Sequence, residues 1–100
     1  MRAAVYSFSL RGAELSKKVG ELLHNLGYEV QVETLPKYAE EAKLPAMVGN
    51  HYQVTEEAFE NCQAIVYVGS VGIAVRSIAP FLKSKLLDPA IISVDEGGTF

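Results

Sequence analysis

A glycine-containing turn and one arginine follow an apolar segment of the chain, in an arrangement that suits an anion. Gly69, Ser70 and Gly72 come directly after the apolar run Ala64–Val68, and Arg76 lies one helical turn beyond Gly72. Such a turn at the start of a helix leaves N–H groups free for a phosphate or a carboxylate, and a guanidinium on the same face strengthens the contact. Two glycines are a weak motif, and a plain strand-to-helix turn with Arg76 in an ion pair fits the same residues equally well.

Two carboxylates and a polar loop are the other candidates for chemistry. Asp95 and Glu96 directly follow the apolar run Ala90–Val94, a position at which side chains of a parallel sheet meet ligands. A carboxylate there can act as a general base, although solvated turn residues would need no catalytic role. Ser9 and Arg11 follow the first apolar run and are candidates for binding the same ligand.

Other kinds of site are not favoured by the residue pattern. Leu10 and Arg11 interrupt the loop rich in Ser, Thr and Gly that a flavin mononucleotide would need. His24, His51 and Cys62 lack the spacing of metal ligands, so we expect no protein-bound metal and no cofactor. The lone Cys62 fits a reducing compartment and a place at the start of a buried strand.

The composition limits the class of protein. The chain has 100 residues, of which 49% are hydrophobic and 21% charged, and its net charge is −3. These values indicate one folded domain, and the mild acidity does not favour nucleic acid as a partner. No apolar run reaches the roughly 20 residues of a membrane-spanning helix, and no signal peptide is recognisable. We therefore expect a cytoplasmic protein that does not enter the membrane.

Alternating strand and helix patterns position the candidate residues. Continuous apolar runs predict strands buried on both faces, and alternation of Val with Glu or Gln predicts a strand at a sheet edge. The predicted strands are residues 3–8, 28–33, 64–68 and 90–94. The predicted helices are residues 12–26, 55–61 and 73–80, with one or two helical turns at 37–42. The first helix carries an apolar stripe formed by Leu15, Val19, Leu22, Leu23 and Leu26.

This order of elements predicts a three-layer α/β fold with a flavodoxin-like parallel sheet. Strand–helix alternation requires right-handed crossovers with helices on both faces of the sheet. The edge-like second strand and the buried first and third strands predict the strand order 2-1-3-4. Ligands would then bind where the loops after the first, third and fourth strands converge. The fourth strand is too apolar for a free edge, which predicts a homo-oligomer or a further domain docked beside it.

The second half of the chain carries a more specific signal when it is taken as one segment. It contains AIVYVGSVGIAVRSIAP at residues 64–80, followed by Lys85, DPA at 88–90 and VDEGG at 94–98. This pattern strongly resembles the amino-terminal region of the cobalt-precorrin-5A hydrolases of anaerobic cobalamin biosynthesis. The match is close over residues 64–100 and looser over residues 1–35, and residues 36–53 carry no signature of the family.

The resemblance implies an enzyme that opens the δ-lactone of cobalt-precorrin-5A and releases a two-carbon fragment as acetaldehyde. The cobalt belongs to the substrate, a tetrapyrrole fringed with carboxylates. Asp95 or Glu96 would activate water or guide proton transfer. The residues that would bind the substrate are Ser9, Arg11, Gly69, Ser70, Gly72 and Arg76.

The same resemblance implies that these residues form the amino-terminal part of a longer enzyme. Members of the family continue through a Ser-Gly-His and a Gly-Gly-Ala-Asn stretch into a second domain, and neither stretch occurs before Phe100. Two further hypotheses stay open from the residues themselves. One is a non-catalytic α/β module that docks an anionic tetrapyrrole or a partner chain, and the other is a nucleotide-binding domain.

Overall fold

Four strands and three helices form the part of the chain that the computed structural model describes, residues 1–69 and 88–95. In chain order these elements are β1 (Arg2–Ser7), α1 (Leu10–Asn25), β2 (Glu29–Thr34), α2 (Pro36–Ala42), α3 (His51–Asn61), β3 (Ala64–Val68) and β4 (Ala90–Val94). The predicted helix at residues 73–80 lies outside the described residues.

All four strands are parallel and lie in the order β2-β1-β3-β4. The predicted strand order is therefore confirmed. Ala3 is paired with Val30 on one side and with Ala64 on the other, and Ala64 is paired in turn with Ala90. Because the strands run in one direction, their carboxyl ends lie along a single edge of the sheet.

The sheet is covered on both faces, which confirms the three-layer architecture. On the first face, here the α1 face, Val5, Val66 and Val94 pack against apolar residues of α1. On the opposite face, the α3 face, Tyr6, Ile65 and Tyr67 form a core with side chains of α3 such as Val54 and Ala58. The buried hydroxyl groups of Thr55 and Tyr67 are hydrogen bonded to each other, which joins α3 to β3 without leaving either group unsatisfied.

Helix α1 begins two residues before the predicted start, at Leu10. The reason is its N-cap, because the Oγ of Ser9 accepts a hydrogen bond from the Gly12 N–H at 2.9 Å. The predicted apolar stripe is only partly correct: Leu15, Val19 and Leu23 pack on the sheet, but Leu22 and Leu26 are 65% and 75% exposed. The helix rests on the side that carries the buried residues Ser16 and Gly20, and at 100° per residue Leu22 lies roughly 120–160° away from them. Leu26 is already the C-cap.

Helix α3 begins at His51, four residues before the predicted start. Asn50 and Gln53 form a reciprocal cap, in which the Gln53 N–H donates to the Asn50 side chain and the Asn50 N–H donates to the Gln53 side chain. The first of these bonds is 3.0 Å long and the second 2.9 Å. Together they satisfy two donors that a helix start otherwise leaves without partners. The first turn has little apolar periodicity, so the sequence pattern alone did not reveal it.

The irregular segment after α2 is tied to the end of β2. The Thr34 N–H donates to the Pro45 carbonyl at 3.1 Å, and the Met47 N–H donates to the Thr34 carbonyl at 2.8 Å. Met47 is then buried in the core on the α3 face. The chain between β2 and α3 is therefore held against the carboxyl end of the sheet by backbone hydrogen bonds.

The two edges of the described sheet differ in their protection against pairing. Strand β2 carries Glu29, Gln31 and Glu33 among its six residues, and charged side chains discourage contact with another strand. Strand β4, with the sequence AIISV, has no charged residue, and Ile92 on its α1 face is 39% exposed. Among the described residues, the β4 edge thus has less protection by charge than the β2 edge.

We expect the chain to self-associate through β4 in the micromolar range and Ile92→Lys to make it monomeric, because a buried ammonium group would oppose the contact. Sedimentation at increasing protein concentration measures this. Val48→Lys is the matched control, since Val48 is also an apolar side chain and is 87% exposed outside the sheet. A wild-type chain that stays monomeric throughout that range would show this expectation to be wrong.

Candidate functional site

The candidate site is the edge of the sheet at the carboxyl ends of β1, β3 and β4. Ser9 follows β1, Gly69 follows β3 and Asp95 follows β4. Because these three strands are neighbours in the sheet, the three residues lie side by side at this edge. The first residues of the three predicted loops therefore lie at one edge of the sheet, whereas residues 70–72 and 96–98 of those loops lie outside the described residues.

Gly12 allows α1 to start close to the ends of β1 and β3. A Cβ atom built at this position would lie 3.0 Å from the Ser9 Oγ and 3.2 Å from the Val68 carbonyl oxygen. The carbonyl belongs to the backbone of β3 and has little freedom to move. A residue without a side chain is consequently needed where the first turn of the helix crosses the sheet edge.

Gly69 begins the predicted anion-binding turn, but its own N–H is already used by the sheet. It donates to the Val94 carbonyl at 2.8 Å and so extends the pairing of β3 with β4. Phe8 lies against it, with a ring atom 3.6 Å from the position of a Cβ. Donors for an anion at this turn would have to come from later residues, and Ser70, Gly72 and Arg76 lie outside the described residues.

The other candidates are placed at the same edge with different surroundings. The Ser9 hydroxyl is engaged as the cap of α1. Arg11 lies in the first turn of α1 and is exposed, as is Asp95 after β4. Glu96 lies outside the described residues, so the structure does not distinguish the two carboxylates. The catalytic and binding roles of these residues stay predictions.

A buried serine that sequence reasoning did not select lies at the same place. Ser7 is the last residue of β1 and is fully buried, and its Oγ has no hydrogen-bond partner in the part of the chain that the structure describes. Its carbonyl accepts a hydrogen bond from the Thr34 hydroxyl at 3.3 Å. The signal in the sequence was a polar residue at an inward-facing position of an otherwise apolar strand.

Titratable groups on the α3 face lie in an environment that disfavours charge. Burial, and secondarily the negative charge of Glu57, raises the pKa of Glu33 above its usual value. Burial also raises the pKa of Tyr6, whose hydroxyl accepts a hydrogen bond from the Gln31 amide at 3.3 Å. Burial raises the pKa of Cys62 as well, so this thiol is the inert core residue that the sequence suggested.

Neither a cluster of metal ligands nor a membrane-spanning helix occurs in the residues that are described. His24 is exposed near the end of α1, as expected of a solvated side chain. Over residues 1–69 and 88–95, no group of three or more His, Cys, Asp or Glu side chains is arranged to hold a metal ion. Within the same ranges no helix is long and apolar enough to cross a membrane.

The fold defines a class of protein, an open α/β domain with a parallel sheet, in which ligands generally bind at the carboxyl ends of the strands. Within that class, residues 53–100 match the protein family described as "Cobalamin synthesis G N-terminal". No solved structure is significantly similar to the chain.

Two curated relatives extend this similarity over nearly the whole chain. The chain is 30% identical over 95 residues to the cobalt-precorrin-5A hydrolase of Salmonella typhimurium (strain LT2). It is 25% identical over 95 residues to the enzyme of the same name from Priestia megaterium. In both comparisons the match covers 95% of this chain and 25% of the relative. The resemblance to the amino-terminal region of the cobalt-precorrin-5A hydrolases is thereby confirmed, and the chain spans a quarter of the length of these relatives.

Replacing Glu33 with glutamine should stabilise the protein at neutral pH and flatten its pH dependence. Because the pKa of Glu33 is raised on folding, the unfolded chain loses this proton first as the pH rises, and stability falls between the usual glutamate pKa and the raised one. Glu33→Gln removes the carboxyl group and with it this loss of stability. Thermal unfolding between pH 4 and 8 measures it, with Glu60→Gln on the exposed side of α3 as the control. The expectation is wrong if the melting temperature of the wild type, relative to that of Glu33→Gln, rises with pH over this range.

Proposed function

We propose that this chain is the amino-terminal, substrate-binding domain of a cobalt-precorrin-5A hydrolase that works in the cytosol. The observation that carries the proposal is its similarity, over 95 residues, to two relatives that bear this name. The fold supports it, because the sheet presents Ser9, Gly69 and Asp95 along one ligand-binding edge. The activity of the whole protein rests on the relatives' names and on the chemistry of these residues.

The proposed reaction opens the δ-lactone of the substrate and then releases acetaldehyde. A carboxylate takes a proton from water, the resulting hydroxide adds to the lactone carbonyl, and the ring C–O bond breaks to leave an acid and an alcohol. Removal of the alcohol proton then allows the neighbouring C–C bond to break, so that acetaldehyde leaves and the electron pair stays on the macrocycle. Asp95 and Glu96 are the residues proposed to accept and return these protons.

The substrate's peripheral carboxylates suit the electrostatics of the sheet edge. The start of α1 has no acidic residue in its first turn, and Arg11 in that turn is exposed. A helix N-terminus carries partial positive charge and favours an anion, and a guanidinium can bind a carboxylate through two hydrogen bonds. Arg76 and the backbone near Gly72 are proposed to bind a second carboxylate beside it.

A non-catalytic binding module is the second candidate function. It is favoured by the share of the relatives that this chain spans, 25% of their length, since groups needed for catalysis can lie in the remainder. Incubating the chain with the lactone substrate, while measuring both binding and acetaldehyde, separates the two functions. Binding with acetaldehyde release supports the enzyme, binding alone supports the module, and a lack of binding contradicts both.

We expect Asp95 and Glu96 to differ in their effect on activity. Replacing the carboxylate that faces the substrate by the neutral amide should lower kcat by about 10²- to 10⁴-fold, because proton transfer is lost. The other replacement should be nearly neutral. Acetaldehyde release by the active protein carrying Asp95→Asn or Glu96→Gln measures this, with Glu60→Gln as the control at the far end of α3. If neither replacement changes the rate, this loop has no part in the mechanism.

The proposed anion site at Gly72 and Arg76, at the start of the helix predicted at residues 73–80, implies that substitutions there lower affinity rather than stability. Arg76→Ala removes one charge-assisted contact and should weaken tetrapyrrole binding roughly 10- to 150-fold. Gly72→Val should weaken it as well, because a branched side chain would keep the ligand away from the backbone. Binding titrations measure both, with Lys18→Ala on the exposed side of α1 as the control for lost charge. Equal affinity in the two variants and the wild type would place the pocket elsewhere.

A further inference from the structure

The Ser7 hydroxyl is a buried polar group whose position the described residues do not explain. Ser7 is fully buried, and its Oγ has no hydrogen-bond partner among the residues that the structure describes. Leaving a buried hydroxyl unsatisfied costs stability, whereas an alanine would fill the same position without that cost. A group of this kind at the carboxyl end of a central strand calls for a partner that is not part of the described chain.

The first turn of α1 lies directly beside this hydroxyl. Ser7 alternates with Val5 and Ala3 along β1, and this row faces α1. A Cβ atom built on Gly12 would be 3.6 Å from the Cβ of Ser7. The side chain of Ser7 therefore lies on the helix side of the sheet, against the turn that begins α1.

That turn has hydrogen-bond donors to offer. Of the first N–H groups of the helix, Gly12 donates to the Ser9 side chain and Ala13 donates to the Ser9 carbonyl. The N–H groups of Leu10 and Arg11 precede the first intrahelical bond and have no acceptor within the helix. The turn contains no acidic residue that would neutralise the positive end of the helix dipole.

We propose that the first turn of α1 and the Ser7 hydroxyl together form an oxyanion-binding site, distinct from the turn at Gly72. The N–H groups of Leu10 and Arg11 donate to one carboxylate or phosphate group, and the Ser7 hydroxyl donates to an oxygen of the same group. This inference rests on the proposed function for the identity of the ligand, a peripheral carboxylate of the tetrapyrrole. The site itself follows from the juxtaposition of Ser7 with Gly12.

Two features of the surroundings set the properties of this site. Asp95 follows β4, two strand spacings or about 10 Å away from β1, so its charge is partly screened by water and salt.

Because Ser7 is fully buried in the ligand-free protein, an oxygen reaches the hydroxyl only after a local opening at the sheet edge. Association should therefore be slower than the usual protein–ligand encounter.

The test compares Ser7→Ala with Ser93→Ala. Ser93 is the matched control, because its Oγ is also buried without a partner in the described ranges, but its register opposite Tyr67 places it on the α3 face. The probes are an octacarboxylate tetrapyrrole and inorganic phosphate, titrated against each purified chain, together with the melting temperature of the ligand-free proteins.

We expect Ser7→Ala to weaken binding of the tetrapyrrole about tenfold or more, as for loss of a hydrogen bond to a charged group. Its melting temperature without ligand should be unchanged or higher, and Ser93→Ala should bind like the wild type. If phosphate binding depends on Ser7 but the tetrapyrrole does not bind at all, the anion site stands and the proposed function fails. Equal binding of both probes by Ser7→Ala and wild type would overturn the site. A lower melting temperature of Ser7→Ala would also overturn it, because the hydroxyl would then have a partner within the protein.

Discussion

The two central strands, β1 and β3, are buried on both faces, and most of the architecture follows from that constraint. Residues 3–7 of β1 and all five residues of β3 are excluded from water, so helices have to cover the sheet on both sides. Parallel strands are joined by crossover connections that run back over a face of the sheet, usually as a helix. These crossovers bring the carboxyl ends of the strands to one edge, where Ser9, Gly69 and Asp95 are found.

Within residues 1–69 and 88–95, the helices cover the centre of the sheet more fully than β4. Helix α1 packs against β1 and β2 and reaches β3, while α3 fills the opposite face around Tyr6 and Tyr67. Ile92, on the α1 face of β4, is the large apolar side chain of the sheet that stays open to water. At the other edge, the charges of β2 and the hydrogen bonds from Thr34 to the following segment oppose pairing with another strand. The β2 edge is therefore suited to water, and the apolar β4 edge is suited to contact with another surface.

The edge of the sheet at the carboxyl ends of the strands combines tight packing with backbone polarity. Gly12 allows the first turn of α1 to approach the Val68 carbonyl, so the positive end of the helix lies over the ends of two strands. Such a surface attracts carboxylates without a dedicated lysine or arginine cluster. This position is consistent with the proposed binding of the substrate's carboxylates, even though the net charge of the chain is −3. On the α3 face, the Thr55 and Tyr67 hydroxyls satisfy each other within the core.

The sequence by itself determined the strand order and the layers, because continuous apolar runs and Val–Glu alternation report directly on burial. From that strand order it also predicted which edge carries the candidate site. It also revealed the resemblance to the cobalt-precorrin-5A hydrolases, through residues 64–98. Only the tertiary structure decided that Leu22 is exposed, that the Gly69 N–H is used by the sheet and that Ser7 lies buried beside Gly12. Helical periodicity could not separate Leu22 from Leu23, since both fit an apolar stripe until the neighbouring strands show where the helix rests. The hydrogen bond of the Gly69 N–H and the surroundings of the Ser7 hydroxyl depend on atoms that are distant in sequence. No local sequence pattern encodes such contacts.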